Sequence, residues 1–273
     1  MVYDLHTHST ASDGILSAKE LVSRAAERNV NVLALTDHDT VSGLEEASLT
    51  AKQFDIDFIN GIEISAKWQF FEIHIIGLNI DPNNESLLKG LQSQQYARHK
   101  RLESMVKKLK ENGIENADEI IQSYKSGDHV GRPTVAKYLV ENEHCETYKE
   151  AYSSLNRGGD LYVEPNWEFM QYAISWITQA GGVAVLAHPG SYGLNKPGFS
   201  GILRDFQRFG GQGVEVCYGP CSKAAISRWA YYARKFKLHG SIGSDFHRPT
   251  RGIELGRSRK LPKDIPGVWE LFK

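Results

Sequence analysis

The 273-residue sequence is short of features that mark several large classes of protein. Its three cysteines, Cys145, Cys217 and Cys221, form no even disulfide framework and no second pair for a thiolate metal site. We expect them to be structural thiols in a reducing compartment. No apolar run approaches the roughly 18 residues of a membrane-spanning helix, and no basic-apolar leader opens the sequence. These absences predict a soluble, cytoplasmic protein without a membrane partner.

An excess of charge is missing as well. The formal net charge is −1, whereas sequence-independent binding of duplex DNA needs a broadly basic surface. The near-zero net charge does not exclude binding of a short oligonucleotide in a local basic pocket. The sequence also lacks the Gly-x-Ser-x-Gly elbow, the P-loop and the dinucleotide fingerprint. Nothing in it indicates an obligate protein partner.

The most informative feature that is present is a His-x-His pair near the start. Residues 2–5 are typical of a short buried strand, and His6 and His8 follow it. Because side chains alternate along an extended chain, both imidazoles lie on one face. Neutral imidazoles near a carboxylate suit a borderline transition metal. Alone the pair is weak evidence, since two structural histidines also fit it.

The same chemistry recurs beside four further apolar segments, 32–36, 58–62, 183–187 and 239–244. A histidine, a carboxylate or both follow each of them, a pattern that unrelated core histidines rarely produce. The candidate ligands are His6, His8, Asp13, His38, Glu63, His74, His188, Asp245 and His247. Asp37 and Asp39 flank His38, and we interpret them as residues that orient ligands or form the turn.

This set is too large for one metal ion, which takes four to six ligands. We therefore expect two or three ions per chain, with at least one bridging carboxylate. Histidine and carboxylate donors without thiolates suit Mn²⁺, Fe²⁺ or Zn²⁺ better than Mg²⁺, and we expect Mn²⁺ to support the best activity. Closely spaced ions assist in-line displacement, from which phosphoester hydrolysis benefits most.

Strand and helix patterns alternate along much of the chain. Ser17–Glu20 is a capping box that predicts a helix with Leu21, Ala25 and Ala26 on its buried face. A similar signature at 42–45 predicts a second helix ending near residue 54, and helical spacing covers 167–180 and 224–236. Repeated strand–helix units with chemistry at the carboxyl ends of strands predict an α/β parallel barrel with its site at one end.

The segment 83–159 breaks this alternation because it contains no convincing strand. Apolar residues at helical spacing predict a long helix ending at Asn112-Gly113. Three shorter helices are predicted over 117–124, 134–140 and 148–155. We expect residues 1–82 and 160–273 to form the barrel domain, and 83–159 to form a helical insert covering the active site.

The motifs resemble those of the polymerase and histidinol phosphatase (PHP) superfamily. The matching segments are His6-x-His8, Thr36–Asp39, Gly61–Glu63, Ala187–Pro189 and Gly243–His247, and none of the expected ligands is missing. Further segments, such as Ala11–Gly14, Glu72–Asn79 and Gly131-Arg132, are similar to the RNase AM type of this superfamily. That type removes the 3′-phosphate of nucleoside 3′,5′-bisphosphates to give the 5′-monophosphate. It also trims short 5′-phosphorylated RNA in the 5′-3′ direction.

The resemblance implies a distorted (β/α)7 TIM-like barrel with an inserted helical domain and three ions. His6, His8, Glu63 and Asp245 are expected to hold the first ion. Glu63 is expected to bridge to a second ion, held also by His74 and His188. Asp13, His38 and His247 are expected to hold the third. The resemblance also implies that a hydroxide between the ions is the nucleophile, so that no protein side chain takes that role.

Arginines in the insert are candidates for binding the substrate phosphate. Arg132 precedes Pro133 at a predicted helix start, so a phosphate there meets both a guanidinium and a helix N-terminus. Arg157 and Arg98 are the other candidates, although each of the three also fits a solvated surface arginine. Tyr192 and Trp68 offer base-stacking surfaces, but aromatics of this size are more often part of the core.

Three other functions stay open at this point. A histidinol-phosphate-type phosphatase has the same ligand set, although the arginine-bearing insert disfavours it. Amidohydrolase barrels also begin with His-x-His, but they usually add a lysine-derived bridge and end in a lone aspartate. A non-catalytic nucleic-acid-binding module is disfavoured by the complete ligand set and the near-zero net charge.

Overall fold

In the computed structural model, which describes residues 1–122, 130–257 and 259–272, the chain divides into two units. The first comprises Met1–Leu91 and Glu168–Lys273, and the second comprises Gln92–Trp167. The domain limits at 83 and 159, and the covering of the active site by the insert, stay predictions. No helix among the residues described is long and apolar enough to cross a membrane.

A seven-stranded sheet organises the first unit, and each strand pairs with the next in chain order. The strands are β1 (Tyr3–Asp4), β2 (Val32–Leu35), β3 (Asp57–Trp68), β4 (Phe71–Leu78), β5 (Val183–Leu186), β6 (Gly213–Tyr218) and β7 (His239–Gly243). β1 to β3 are parallel, and so are β5 to β7. β4 is antiparallel to both of its neighbours, a departure from the parallel order that the strand–helix pattern predicts.

The sheet curls into a nearly closed barrel because the chain after β1 pairs with the end of β7 and the residues that follow it. The backbone N–H of Leu5 donates to the carbonyl of Ile242, and the N–H of Asp245 donates to that of His6, both at 2.9 Å. These bonds bring the carboxyl ends of the first and last strands together. The distorted seven-stranded barrel implied by the resemblance is confirmed.

Alternation along the strands separates two apolar layers. In β2, Val32 and Ala34 belong to a cluster inside the barrel with Leu5 and Val185. Leu33 and Leu35 belong instead to the larger cluster between the sheet and the helices. A period of two residues places successive side chains on opposite faces, so both faces of the sheet are buried.

The helices of the first unit are α1 (Ala18–Glu27), α2 (Leu44–Ala51), α7 (Met170–Gln179), α8 (Lys196–Arg208) and α9 (Lys223–Lys235). The capping box of α1 is present as predicted, with both the Ser17 and Glu20 bonds formed. Its most buried residues include Leu21 and Ala25, whereas Ala26 is only partly buried. α2 has Gly43 as its N-cap and no side-chain cap bond, so the second capping prediction was wrong.

α8 is a helix that we did not predict from the sequence. Asn195 caps it by accepting from the N–H of Gly198 at 2.9 Å, and Phe199, Ile202 and Phe206 are buried along one face. Because these apolar residues recur at helical intervals after an Asn and a Pro, the signal for this helix was present in the sequence.

The second unit consists of helices and connecting loops, with no strand among its described residues. α3 (Glu85–Glu111) enters it from the first unit, and α4 (Asp118–Gln122), α5 (Arg132–Glu141) and α6 (Tyr148–Ser154) follow. Gly113, two residues after the end of the long helix, has a φ of 86° and terminates it, as the Asn-Gly pair predicts. Leu102, Met105 and Leu109 of α3 pack with Leu139 of α5 in a separate core. The last two residues of the helix predicted over 117–124 lie outside the described residues.

Candidate metal centre

Each predicted ligand has a definite place in the barrel unit. His6 and His8 follow β1, His38 follows β2, His188 follows β5, and Asp245 and His247 follow β7. Asp13 lies in the loop before α1. Glu63 and His74 do not follow strands; they lie inside β3 and β4, where the expectation of strand-end positions was wrong. His74 is opposite Ser65 in this hairpin, so it shares a face with Glu63.

The first group of donor atoms consists of His6 Nε2, His8 Nε2, Glu63 Oε2 and Asp245 Oδ1. The two imidazole nitrogens are 3.1 Å apart, and their distances to the two carboxylate oxygens are 3.3–3.5 Å. Donors about 2.1 Å from one ion are separated by about 3.0–3.4 Å in octahedral or tetrahedral geometry. The atoms of His6, His8 and Glu63 therefore have the spacing of ligands around one ion, and Asp245 Oδ1 lies at a similar distance from the two imidazole nitrogens.

A second group shares Glu63 with the first. Glu63 Oε1 is 3.0 Å from both His74 Nδ1 and His188 Nε2, and these two nitrogens are 3.2 Å apart. The two oxygens of one buried carboxylate therefore face two different sets of imidazoles. This is the arrangement expected of a ligand that bridges two neighbouring ions.

The third group forms around Asp13. Its Oδ1 is 3.1 Å from His247 Nε2 and 3.7 Å from His38 Nε2. His8 joins this group through Nδ1, 4.0 Å from Asp13 Oδ1, which the sequence did not indicate. His38 Nδ1 is also 3.0 Å from Glu63 Oε2, so its two nitrogens face different carboxylates.

Buried atoms without hydrogen bonds support metal binding at this centre. Glu63 Oε2 and His8 Nδ1 are inaccessible and make no hydrogen bond to any residue described. A buried donor or acceptor left unpaired is costly and needs an explanation, such as an ion. The donor set of imidazoles and carboxylates fits a divalent transition metal.

The electrostatics of the centre are consistent with a cation. Burial raises the pKa of Glu63, but the neighbouring His74, His6 and His38 outweigh it and hold this pKa well below its usual range. The carboxylate is therefore ionised at neutral pH. Burial, together with the charges of His247 and His38, lowers the pKa of His8 to about 3. The His8 ring is then neutral, the form that binds a metal.

Three buried acids outside the predicted ligand set hold the ligand loops in place. Asp37 accepts from the backbone N–H of Ser9 at 2.7 Å and from its hydroxyl at 2.6 Å. Asp39 accepts from the N–H of Ser65 at 2.8 Å. Both contacts agree with the orienting role expected of these two residues. Asp4 accepts from the N–H of Ser244 at 2.7 Å, and burial raises its pKa to about 6.

Glu215 on β6 is a further buried acid of this centre, and it was not predicted from the sequence. Its Oε1 is 3.1 Å from His6 Nδ1, and its Oε2 accepts from the backbone N–H of His188 at 2.5 Å. A single glutamate between Val214 and Val216 in an otherwise apolar strand was the available signal. Such a residue is either exposed or paired, and here it is paired and fully buried.

The three predicted phosphate-binding arginines all belong to the second unit. Arg132, the first residue of α5, donates to Asn156 Oδ1 at 2.8 Å. Arg157 forms an exposed ion pair with Glu164 at 3.5 Å. Arg98 is largely buried and lies over the ring of Trp167, 5.0 Å from its centroid. Their role in binding substrate stays a prediction.

The other residues considered from the sequence have structural contacts. Trp68 Nε1 donates to Asp205 at 2.8 Å, and the Tyr192 hydroxyl donates to the carbonyl of Ala187 at 2.7 Å. Both aromatics pack with the main apolar core. Cys217 is a free buried thiol, and burial raises its pKa to about 12, as expected of a structural cysteine.

Comparison with known proteins places this centre in a family. The PHP domain model matches residues 4–166. A 5′-3′ exoribonuclease of Haemophilus influenzae is 41% identical over 99% of this chain and 98% of its own length. A 3′,5′-nucleoside bisphosphate phosphatase of Chromobacterium violaceum is 37% identical over 97% of this chain and 94% of its own.

A solved structure shows the same fold. It is described as an amidohydrolase from Chromobacterium violaceum with bound sulfate and no metal, and it is 36% identical to this chain. Its TM-score is 0.91, with 99% of this chain and 96% of that one covered. The family model, the relatives and the three donor groups agree: the chain belongs to the PHP domain family.

Proposed function

We propose that this chain is a metal-dependent phosphoesterase acting on nucleotides. The observation that carries the proposal is Glu63, whose two oxygens face separate sets of imidazoles at 3.0–3.4 Å. Neighbouring divalent ions, when bound, generate a nucleophile from water and stabilise charge on the attacking and leaving oxygens. Because that chemistry supplies the nucleophile, no side chain needs to form a covalent intermediate.

The residues of the chain hold and orient this centre. His6, His8, Glu63 and Asp245 are proposed to hold one ion, Glu63 with His74 and His188 a second, and Asp13, His38 and His247 a third. Since imidazole and carboxylate suit several divalent metals, we propose Mn²⁺ as the ion that supports the best activity, with Fe²⁺ or Zn²⁺ as alternatives.

The names of the relatives support the substrate class. One relative is named for 5′-3′ exoribonuclease activity and another for phosphatase activity on nucleoside 3′,5′-bisphosphates. Both reactions break an ester at a 3′-oxygen of a nucleotide that can carry a 5′-phosphate. We propose that this chain releases the 3′-phosphate of such bisphosphates and trims short 5′-phosphorylated RNA. Duplex DNA is not a proposed substrate.

Recognition of the 5′-phosphate needs cationic groups, and Arg132, Arg157 and Arg98 are the proposed ones. The related solved structure is described with bound sulfate, a tetrahedral dianion with the shape of phosphate, and this supports the proposal that the fold binds such an anion. Charge-assisted hydrogen bonds from arginine to such an anion are the usual means of fixing it.

The deciding experiment compares four substrates at equal concentration with Mn²⁺: adenosine 3′,5′-bisphosphate, 5′-phosphorylated RNA, 5′-hydroxyl RNA and histidinol phosphate. We expect phosphate release from the bisphosphate and stepwise shortening of the phosphorylated RNA. The His6→Ala variant serves as the control for contaminating activity. A preference for histidinol phosphate, or equal rates on the two RNAs, contradicts the proposal in favour of a histidinol-phosphate-type phosphatase.

A further inference from the structure

Glu215 is a fully buried carboxylate that is absent from the three donor groups. Val214 and Val216 on either side of it pack in the layer between sheet and helices. Glu215 lies on the opposite face of β6 and contacts two of the candidate metal ligands. The pairing of β6 with β7 is irregular just after it, between Glu215 and Cys217. Irregularities of this kind re-aim a side chain beside active sites.

The two oxygens of Glu215 have different partners. Oε1 is 3.1 Å from Nδ1 of His6. A proton held on that nitrogen leaves Nε2 as the donor atom, and Nε2 is the atom that faces His8, Glu63 and Asp245. A carboxylate behind a ligating imidazole fixes both the position of its proton and the orientation of its ring.

The second oxygen holds the backbone of another ligand. Oε2 accepts from the N–H of His188, whose φ is 20°. A non-glycine residue in this region is strained and persists only when its surroundings hold it there. The ring of His188 is fixed separately, since its Nδ1 is 2.7 Å from the Ser191 hydroxyl.

We propose that Glu215 is a positioning residue that orients His6 and His188 together, so that one side chain sets the geometry of two neighbouring metal sites. The inference rests on the proposed metal-dependent function. It concerns the donor groups that share Glu63, and not the group around Asp13.

Glutamine at position 215 is an isosteric test of this role. A carboxylate accepts from both His6 and His188, whereas an amide has one accepting oxygen and a nitrogen that only donates. In Glu215→Gln, the amide NH₂ must therefore face either the His6 Nδ1–H or the backbone N–H of His188. One of the two ligands loses its partner while the volume of the side chain is kept.

The experiment measures binding of Zn²⁺ by equilibrium dialysis and competition with a chelator, for the full chain and its variants. We expect Glu215→Gln to weaken the site of His6 or that of His188, whichever loses its partner, by about 10- to 100-fold, while the site around Asp13 keeps its affinity. Glu254→Gln is the matched control, because Glu254 pairs with Arg24 at 2.7 Å and with Arg28 at 3.1 Å, and neither arginine is a candidate ligand. This control should keep wild-type affinity at every site.

Thermal unfolding of the metal-free proteins separates positioning from general damage. If Glu215→Gln binds Zn²⁺ within twofold of wild type at every site, or weakens all sites equally, the inference is wrong and Glu215 is only structural. If the wild type itself binds no metal, the proposed function fails instead. Should the glutamine variant not fold, Glu215→Asp keeps the charge with a shorter reach, and a loss of affinity at the sites of both His6 and His188 is expected of it.

Discussion

Replacing Glu63 by glutamine is expected to empty two metal sites at once. One oxygen of Glu63 lies 3.0 Å from donor atoms of His74 and His188, and the other lies 3.3–3.4 Å from those of His6 and His8. Glutamine keeps a single accepting oxygen and presents an NH₂ group to the other set. The amide nitrogen cannot bind a divalent ion, and the bridging charge is lost.

The magnitude follows from the burial of this carboxylate, whose side chain is 1% exposed. Removing one partner from a buried, paired set of charges costs about 3–5 kcal/mol, which is roughly two to three and a half powers of ten in affinity. Glu63→Gln should therefore retain about one ion per chain under conditions that fill the wild type.

Elemental analysis after dialysis against buffered Mn²⁺ or Zn²⁺ measures this number directly. Asp13→Asn is the matched control, because Asp13 belongs only to the third donor group and should cost one ion. Circular dichroism of the metal-free variants checks that the barrel is folded. Loss of a single ion in Glu63→Gln, or of two ions in Asp13→Asn, refutes the bridging role derived from the geometry.

Three further predictions address the substrate, the packing and the pH dependence. Arg132→Ala should lower kcat/KM for nucleotide substrates by an amount equivalent to about 1.5–3 kcal/mol of transition-state stabilisation. Hydrolysis of p-nitrophenyl phosphate should be affected less, and equal losses on both kinds of substrate exclude phosphate recognition by Arg132. Gly243→Ala places a methyl group 2.3 Å from Cβ of His6. This clash should lower the free energy of unfolding by about 1–3 kcal/mol and remove one bound metal ion per chain. A variant with the stability and the metal content of the wild type contradicts this. The Arg24 hydrogen bond lowers the pKa of Glu254, so the ionised pair stabilises the fold at neutral pH. Because the folded pKa lies below the usual value of 4.5, the stability lost in Glu254→Gln should shrink as the pH falls below about 4.5 and through the lowered folded pKa in chemical unfolding. A loss that persists at still lower pH points to packing.

Much of the barrel could be predicted from the sequence because its local signals agree with its fold. The Ser17–Glu20 capping box and the alternation of strands and helices correspond to elements in the structure. The candidate ligands could be grouped because parallel strands bring their carboxyl ends to one edge of a sheet. His6 and Asp245 are far apart in the sequence, yet the pairing of their strands makes them neighbours.

The β3–β4 hairpin could not be predicted in the same way because its turn lacks the usual residues. Trp68 pairs with Phe71 across a loop of Gln69 and Phe70. Gln69 has a φ of 54°, a conformation in which Gly or Asn is expected. With no turn signal, Glu63 and His74 could be assigned to strand ends but not to the inside of an antiparallel pair.

Glu215 shows a second limit of the sequence. One glutamate among valines does not reveal which face of the strand it occupies or what it pairs with. Only the closed sheet, which brings β6 beside the residues after β1 and β5, supplies His6 and the backbone of His188 as its partners.

The joining of the first and last strands has a consequence for synthesis of the protein. The first donor group combines His8 with Asp245, which is 245 − 8 = 237 residues later. At about 5–20 residues per second, a ribosome needs roughly 12–47 s to synthesise the residues between them. During this time the earliest ligands exist without their carboxylate partner on the last strand. The first donor group is therefore complete only after β7 and the residues that follow it have emerged.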